Sequence, residues 1–139
     1  MKDLRDTTAE WLNGFPWDYF ITQTFAKSTW SCFTAKRRFC AFIEKINKSY
    51  QLRGIDYFLA VEPHKSGTYH VHGLINGCAG VSEDELWEVV FQGGRFSASK
   101  YDRNLGASHY LTKYVLKDLC YWDIKIRKSS QGKLFSGKG

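Results

Sequence analysis

The sequence predicts an α+β domain, with helices packed against a largely antiparallel sheet, and three observations carry that expectation. Runs of β-branched and aromatic residues recur at five places, segments of helical spacing separate them, and their order along the chain is β-α-β-β-α-β-α-β. The chain has 139 residues, 43% of them hydrophobic, which is enough to close one core and too apolar for a disordered segment.

The first strand is expected at Asp18–Phe25, where aromatic and β-branched residues dominate. A helix follows from Ser31 to Tyr50. Phe33, Phe39, Phe42, Ile43, Ile46 and Tyr50 keep close to helical spacing, and its other face carries Lys36, Arg37, Arg38, Lys45 and Lys48. Asp56–Glu62 and His70–Asn76 read as two strands joined by a polar loop. Ser82-Glu83-Asp84-Glu85 is a capping box that opens a short helix through Val90. Gly93 and Gly94 break that helix, and Arg95–Asp102 is a further strand. Ala107–Leu119 is then expected to be helical, and Tyr121–Arg127 alternates like a final strand. No repeat or long linker interrupts the chain, so residues 1–128 form one domain and the polar, Gly-rich tail 129–139 is expected to be flexible.

Composition excludes several classes. No stretch reaches the ~20 apolar residues that span a bilayer. Met1 to Glu10 mixes charges with no apolar core of a leader, so a cytoplasmic location is expected. Cys32, Cys40, Cys78 and Cys120 form no Cys-x-x-Cys pair, and they are expected to be core or free thiols, neither a zinc knuckle nor a disulfide framework. The net charge of +6 is unevenly spread: residues 95–139 carry ten Lys/Arg against three Asp/Glu, while residues 1–94 carry ten against eleven. A basic final third attracts polyanions through phosphate neutralisation.

The sharpest local pattern is His70-Val71-His72. Residues two apart on a strand point to one face, and their Cα atoms stand ~6.6–6.8 Å apart, a span two imidazoles can close around one ion. If the connecting loop runs from Pro63 to Tyr69, Glu62 falls opposite His70 across the hairpin. The three then make a two-His, one-carboxylate metal site, with His64 as a loop alternative. A second pattern lies on the expected helix after Ala107. Tyr110, Lys113, Tyr114 and Lys117 fall at i, i+3, i+4 and i+7 on one stripe, while Leu111, Val115 and Leu119 take another side. A phenol has a reference pKa of ~10, and neighbouring ammonium groups favour its phenolate. Two phenols beside two ammonium groups therefore suit nucleophilic attack on phosphorus.

With both elements in view, the chain resembles the HUH endonucleases, the rolling-circle replication initiators and related transposases. Three motifs carry the resemblance over roughly residues 18–118. The hydrophobic strand with paired threonines corresponds to Phe20-Ile21-Thr22-Gln23-Thr24-Phe25. The His-hydrophobic-His motif corresponds to His70-Val71-His72, with Glu62 in the usual place of the third ligand. Tyr-x-x-Lys occurs twice in tandem, at Tyr110 to Lys113 and Tyr114 to Lys117, an arrangement similar to the two-tyrosine initiators of small single-stranded-DNA phages. Related plasmid initiators keep only the second tyrosine. The resemblance implies a ferredoxin-like, RRM-like fold with a five-stranded antiparallel sheet and flanking helices. It also implies metal-assisted nicking and joining of single-stranded DNA at an origin or hairpin, in a prokaryotic host. Tyr114 is implied as nucleophile and Tyr110 as its partner in a second transesterification, with Lys113 and Lys117 at the phosphate. Thr22 and Thr24 are expected to shape the strand.

The metal is expected to be Mn²⁺ or Mg²⁺, because phosphate chemistry suits hard cations and the two imidazoles favour Mn²⁺. Lys36, Arg37, Arg38, Arg95, Lys100 and Arg103 are the expected DNA contacts. Ser136-Gly137-Lys138-Gly139 does not satisfy the phosphate-loop pattern of a helicase, so helicase and polymerase are expected from the host. Two other classes compete. A metal hydrolase of another kind needs more ligands, and after His72 only His109 remains. A non-catalytic single-strand binder, stacking bases on Trp30, Phe96, Tyr101 or Trp122, gives no reason for Glu62, His70 and His72 to converge.

Overall fold

Tyr19–Phe25 (β1), Asp56–Pro63 (β2), Tyr69–Asn76 (β3), Gly94–Lys100 (β4) and Tyr121–Lys125 (β5) form one sheet in the order β4-β1-β3-β2-β5, every neighbouring pair antiparallel. Leu4–Leu12 (α1), Cys32–Ser49 (α2) and Glu83–Val90 (α3) flank it. This is the expected α+β architecture, seen in a computed structural model that describes residues 4–25, 31–63, 69–90, 94–107, 109–110 and 121–126. Gly106, Ala107, His109 and Tyr110 are helical, and the rest of the helix expected through Leu119 lies outside the described residues, as does the 129–139 tail. Helix α1 goes beyond the sequence expectation: nine residues mixing polar and charged side chains give too few apolar positions to read, yet Ala9 and Leu12 are buried.

The sheet divides the interior in two. Tyr19, Ile21, Leu59, Val61, Val71 and Ile75 point to one face, where α2 covers them with Ala35, Phe39, Phe42, Ile43 and Ile46 and α3 adds Leu86. Those α2 residues recur at helical spacing, which is why one stripe of a strongly basic helix packs inward. Ser31 caps the helix by accepting a hydrogen bond from the Thr34 amide at 3.1 Å. The expected capping box of α3 is also present: the Glu85 amide donates to Ser82 Oγ and the Ser82 amide to Glu85 Oε1, both at 3.1 Å. These hydrogen bonds hold the Glu85 carboxyl below its ordinary pKa.

On the opposite face Phe58, Ala60 and Leu74 pack against Ala9 and Leu12 of α1, against Phe15 and Trp17 that follow it, and against Ala107. Asn13 ties α1 to the helical segment at Ala107, whose amide donates to Asn13 Oδ1 at 2.6 Å. Gly73 on the central strand lets the two layers close. A Cβ there would stand 3.1 Å from the Phe39 ring and 3.2 Å from the Phe58 carbonyl oxygen.

Cys40 and Cys78 are free thiols, as expected, and burial with the nearby Asp18 carboxylate pushes Cys78 up to about 12. Cys32 departs from the expectation. It is disulfide-bonded, and spacing along the chain could not reveal that pairing because the fold decides which cysteines meet. No helix among the described residues is long and apolar enough to cross a membrane.

Candidate metal centre

Strand pairing alone brings three ligand types together. In the β2–β3 register Glu62 lies directly opposite His70, and Ala60 lies opposite His72. Alternation then sends Glu62, His70 and His72 to the same face, the one shared with α1. One carboxylate oxygen, Glu62 Oε2, sits 3.2 Å from His70 Nε2 and 2.9 Å from His72 Nε2. The two imidazole rings are 4.9 Å apart at 75° to each other, and one ligand atom from each of the three residues lies within 4.8 Å of the others. His72 is buried while His70 and Glu62 are partly exposed, so the cluster opens to solvent on the Glu62 side.

Burial holds the His72 imidazole below its ordinary pKa of 6.5, and neighbouring His70 pushes the same way, against the pull of Glu62. A neutral imidazole keeps a lone pair for a metal. Two imidazole nitrogens with one carboxylate oxygen make a donor set that accepts a divalent cation and leaves positions open for substrate. Glu62, His70 and His72 would be the ligands.

The next strand contributes a residue that sequence reasoning undervalued. Thr22 of β1 pairs with His72, and its Oγ1 lies 3.1 Å from His72 Nδ1. Partners of this kind orient a ligating histidine and choose which ring nitrogen carries the proton. A hydroxyl both donates and accepts, so Thr22 can serve His72 with Nε2 protonated toward Glu62 or with Nε2 free for a metal. Phe20 lies parallel to the His72 ring, with centroids 6.1 Å apart and planes within 3°. Only the β1–β3 register exposes these two roles, and that register is set across a long connection no local pattern predicts.

Tyr110 is buried in the same layer, 5.1 Å from the rings of both Phe20 and Tyr101. Its hydroxyl accepts a hydrogen bond from the Asp102 amide at 2.9 Å. Phe20 thus packs against both Tyr110 and His72. Tyr114, Lys113 and Lys117 lie outside the described residues.

The six cationic residues expected at DNA are scattered. Arg95 pairs with Thr24, which pairs with His70, so Arg95 shares the face and the end of the sheet that carry the triad, two strands or ~10 Å away. Lys36, Arg37 and Arg38 belong to α2 on the opposite face. There Lys36 bonds Asp123 at 2.9 Å, Arg37 lies over Phe33 at 5.8 Å and Arg38 lies over Phe25 at 5.1 Å. Lys100 pairs with Tyr19, at the other end of β1 from Thr24, and Arg103 follows in the turn beyond.

Comparison with known proteins gives one match. No curated protein is significantly similar to the chain. The family model of the ORF2-type replication-associated proteins matches residues 18–119, which span the whole of β1 to β4, the triad and both Tyr-x-x-Lys repeats. A match over most of the chain places it: this protein belongs to the ORF2 family of replication-associated proteins.

Proposed function

We propose that the chain is a DNA-nicking and -joining enzyme of the HUH type that initiates rolling-circle replication. The observation that carries this reading is the convergence of Glu62, His70 and His72 on one sheet face in a chain of a replication-associated family. A divalent cation, Mn²⁺ or Mg²⁺, bound there supplies polarisation of the scissile phosphate. The remaining work falls to the chain. The Tyr114 phenolate attacks phosphorus, forms a tyrosine–phosphate ester and breaks the bond to the 3′ oxygen, which takes up a proton and leaves as a free hydroxyl. Lys113 and Lys117 neutralise charge on the phosphate oxygens, and Arg95 holds the strand as it crosses the sheet.

Tyr110 is the residue for the reverse, joining step. That role requires its hydroxyl to leave the Asp102 amide, so it follows Tyr114 in order. Lys36, Arg37, Arg38, Lys100 and Arg103 reach only DNA that wraps the edges of the sheet.

The test is a covalent adduct on a denaturing gel, using a single-stranded DNA library labelled at the 5′ or the 3′ end and supplied with Mn²⁺. An adduct carrying the 3′-side fragment, lost on chelation and in Tyr114→Phe, is expected. Cleavage without an adduct, indifferent to both Tyr114→Phe and Tyr110→Phe, would refute the tyrosine mechanism in favour of a water-using metal hydrolase.

A further inference from the structure

Among the described residues five large hydrophobic side chains are exposed: Trp11, Phe33, Trp87, Leu105 and Trp122. Trp122 is the one in strand register with the triad. It pairs with Ala60, Ala60 pairs with His72, His72 with Thr22, and Thr22 with Ser97, so one row of side chains crosses all five strands through the metal centre. Alternation puts the whole row on the triad's face. Trp122 therefore stands two strands, or ~10 Å, from His72, on the flank opposite Arg95.

An indole left 52% exposed beside a cluster of polar ligands is a cost to the free protein unless a ligand covers it. Phe58 backs the ring, with centroids 6.1 Å apart and planes at 30°, so the indole is held by packing while half its surface stays open. Rigid aromatic rings held in this way beside a phosphate-binding centre are how proteins take up unpaired bases. The separation also fits, because stacked nucleotides advance ~3.4 Å each along one strand and an extended strand needs fewer to bridge ~10 Å.

We propose that Trp122 is a stacking platform for an unpaired base close to the phosphate at the triad. Resting on the nicking reading, the proposal adds a base-binding subsite that the ligand triad and the tyrosine motif do not contain. It identifies the partner as single-stranded nucleic acid with at least one unstacked base within a few nucleotides of the scissile bond. Duplex DNA, its bases already paired and stacked, cannot use this subsite.

The experiment measures binding by fluorescence anisotropy in chelator, so that metal and nicking play no part. Two ligands are compared: an oligothymidylate of about a dozen nucleotides and a fully abasic backbone of the same length. Wild type is expected to prefer the thymidylate. Trp122→Leu should weaken thymidylate binding roughly five- to hundredfold, bring it near the abasic level and leave abasic binding unchanged. Trp122→Phe keeps a flat ring and should retain most of the affinity, with thermal melting confirming that each variant folds. Unchanged thymidylate binding in Trp122→Leu, an equal loss on both ligands, or no preference in wild type would each overturn the proposal. The adduct assay on wild type separates the two ideas. An adduct without the Trp122 effect refutes only the platform. The Trp122 effect without any adduct refutes the nicking chemistry and leaves the platform standing.

Discussion

Replacing Thr22 by valine removes one hydroxyl at nearly constant shape and keeps a β-branched residue on β1, so the sheet should form as before. What changes is the partner of His72 Nδ1, now 3.1 Å from Thr22 Oγ1. Two consequences follow from different physics. Without metal, a buried ring nitrogen loses its hydrogen bond, which costs on the order of 1–3 kcal/mol of folding stability. With metal, nothing fixes the proton on Nδ1 or the tilt of the ring, and loss of such a partner weakens metal binding by ~10–100-fold. Calorimetric titration of Mn²⁺ into the chelator-stripped protein measures the second effect, and thermal melting of the same sample measures the first. Thr22→Ser, which restores the hydroxyl, should recover most of the affinity. If Thr22→Val bound Mn²⁺ as tightly as wild type, the hydroxyl would have no part in preparing His72, and the β1–β3 register would have no bearing on metal affinity.

Three further outcomes are expected. Gly73→Ala places a methyl 3.1 Å from the Phe39 ring and should cost ~1–3 kcal/mol in denaturant unfolding, with Phe39→Leu in the same chain recovering part of the loss. Asp18→Ala leaves the Gly77 and Cys78 amides, now 2.8 and 3.0 Å from Asp18 Oδ2, without their acceptor, and melting should report a loss of ~1–3 kcal/mol. His72 titrates below 6.5 in the folded chain, so the unfolded chain binds more protons in that window. Stability of the metal-free protein should therefore fall as pH drops below 6.5, and His72→Gln should flatten that slope in a pH series of urea midpoints.

The elements legible in the sequence are those whose signals are local. Helix α2 declares itself through Phe39, Phe42, Ile43 and Ile46, and the α3 cap through Ser82 and Glu85, because each pattern completes within a few turns. Glu62, His70 and His72 are readable for the same reason: one short hairpin sets their register. Helix α1 escapes because its burial depends on Phe58 and Leu74, far along the chain, and not on its own periodicity. Thr22 and Phe20 belong to a legible strand motif, but their contacts with His72 come from a strand partner fifty residues away. The basic residues of α2 mislead in the opposite direction. Their sequence proximity suggests one patch, and the sheet places them behind the metal face, with Lys36 in an ion pair with Asp123.

The distances along the chain have a consequence for how this protein fails. Glu62 reaches its two histidines over gaps of eight and ten residues, whereas Thr22 reaches His72 over fifty. The coordinating set is thus short-range and its tuning is long-range. Damage that loosens β1 from β3 while sparing the hairpin should produce a protein that still captures metal but holds it poorly, and a weak metal signal would mark a partly assembled sheet. Metal affinity, followed across a denaturant series, becomes a ruler for how much of the sheet is complete. Its strong form should disappear with β1, ahead of the weak form that the β2–β3 hairpin keeps for as long as neighbouring strands support it.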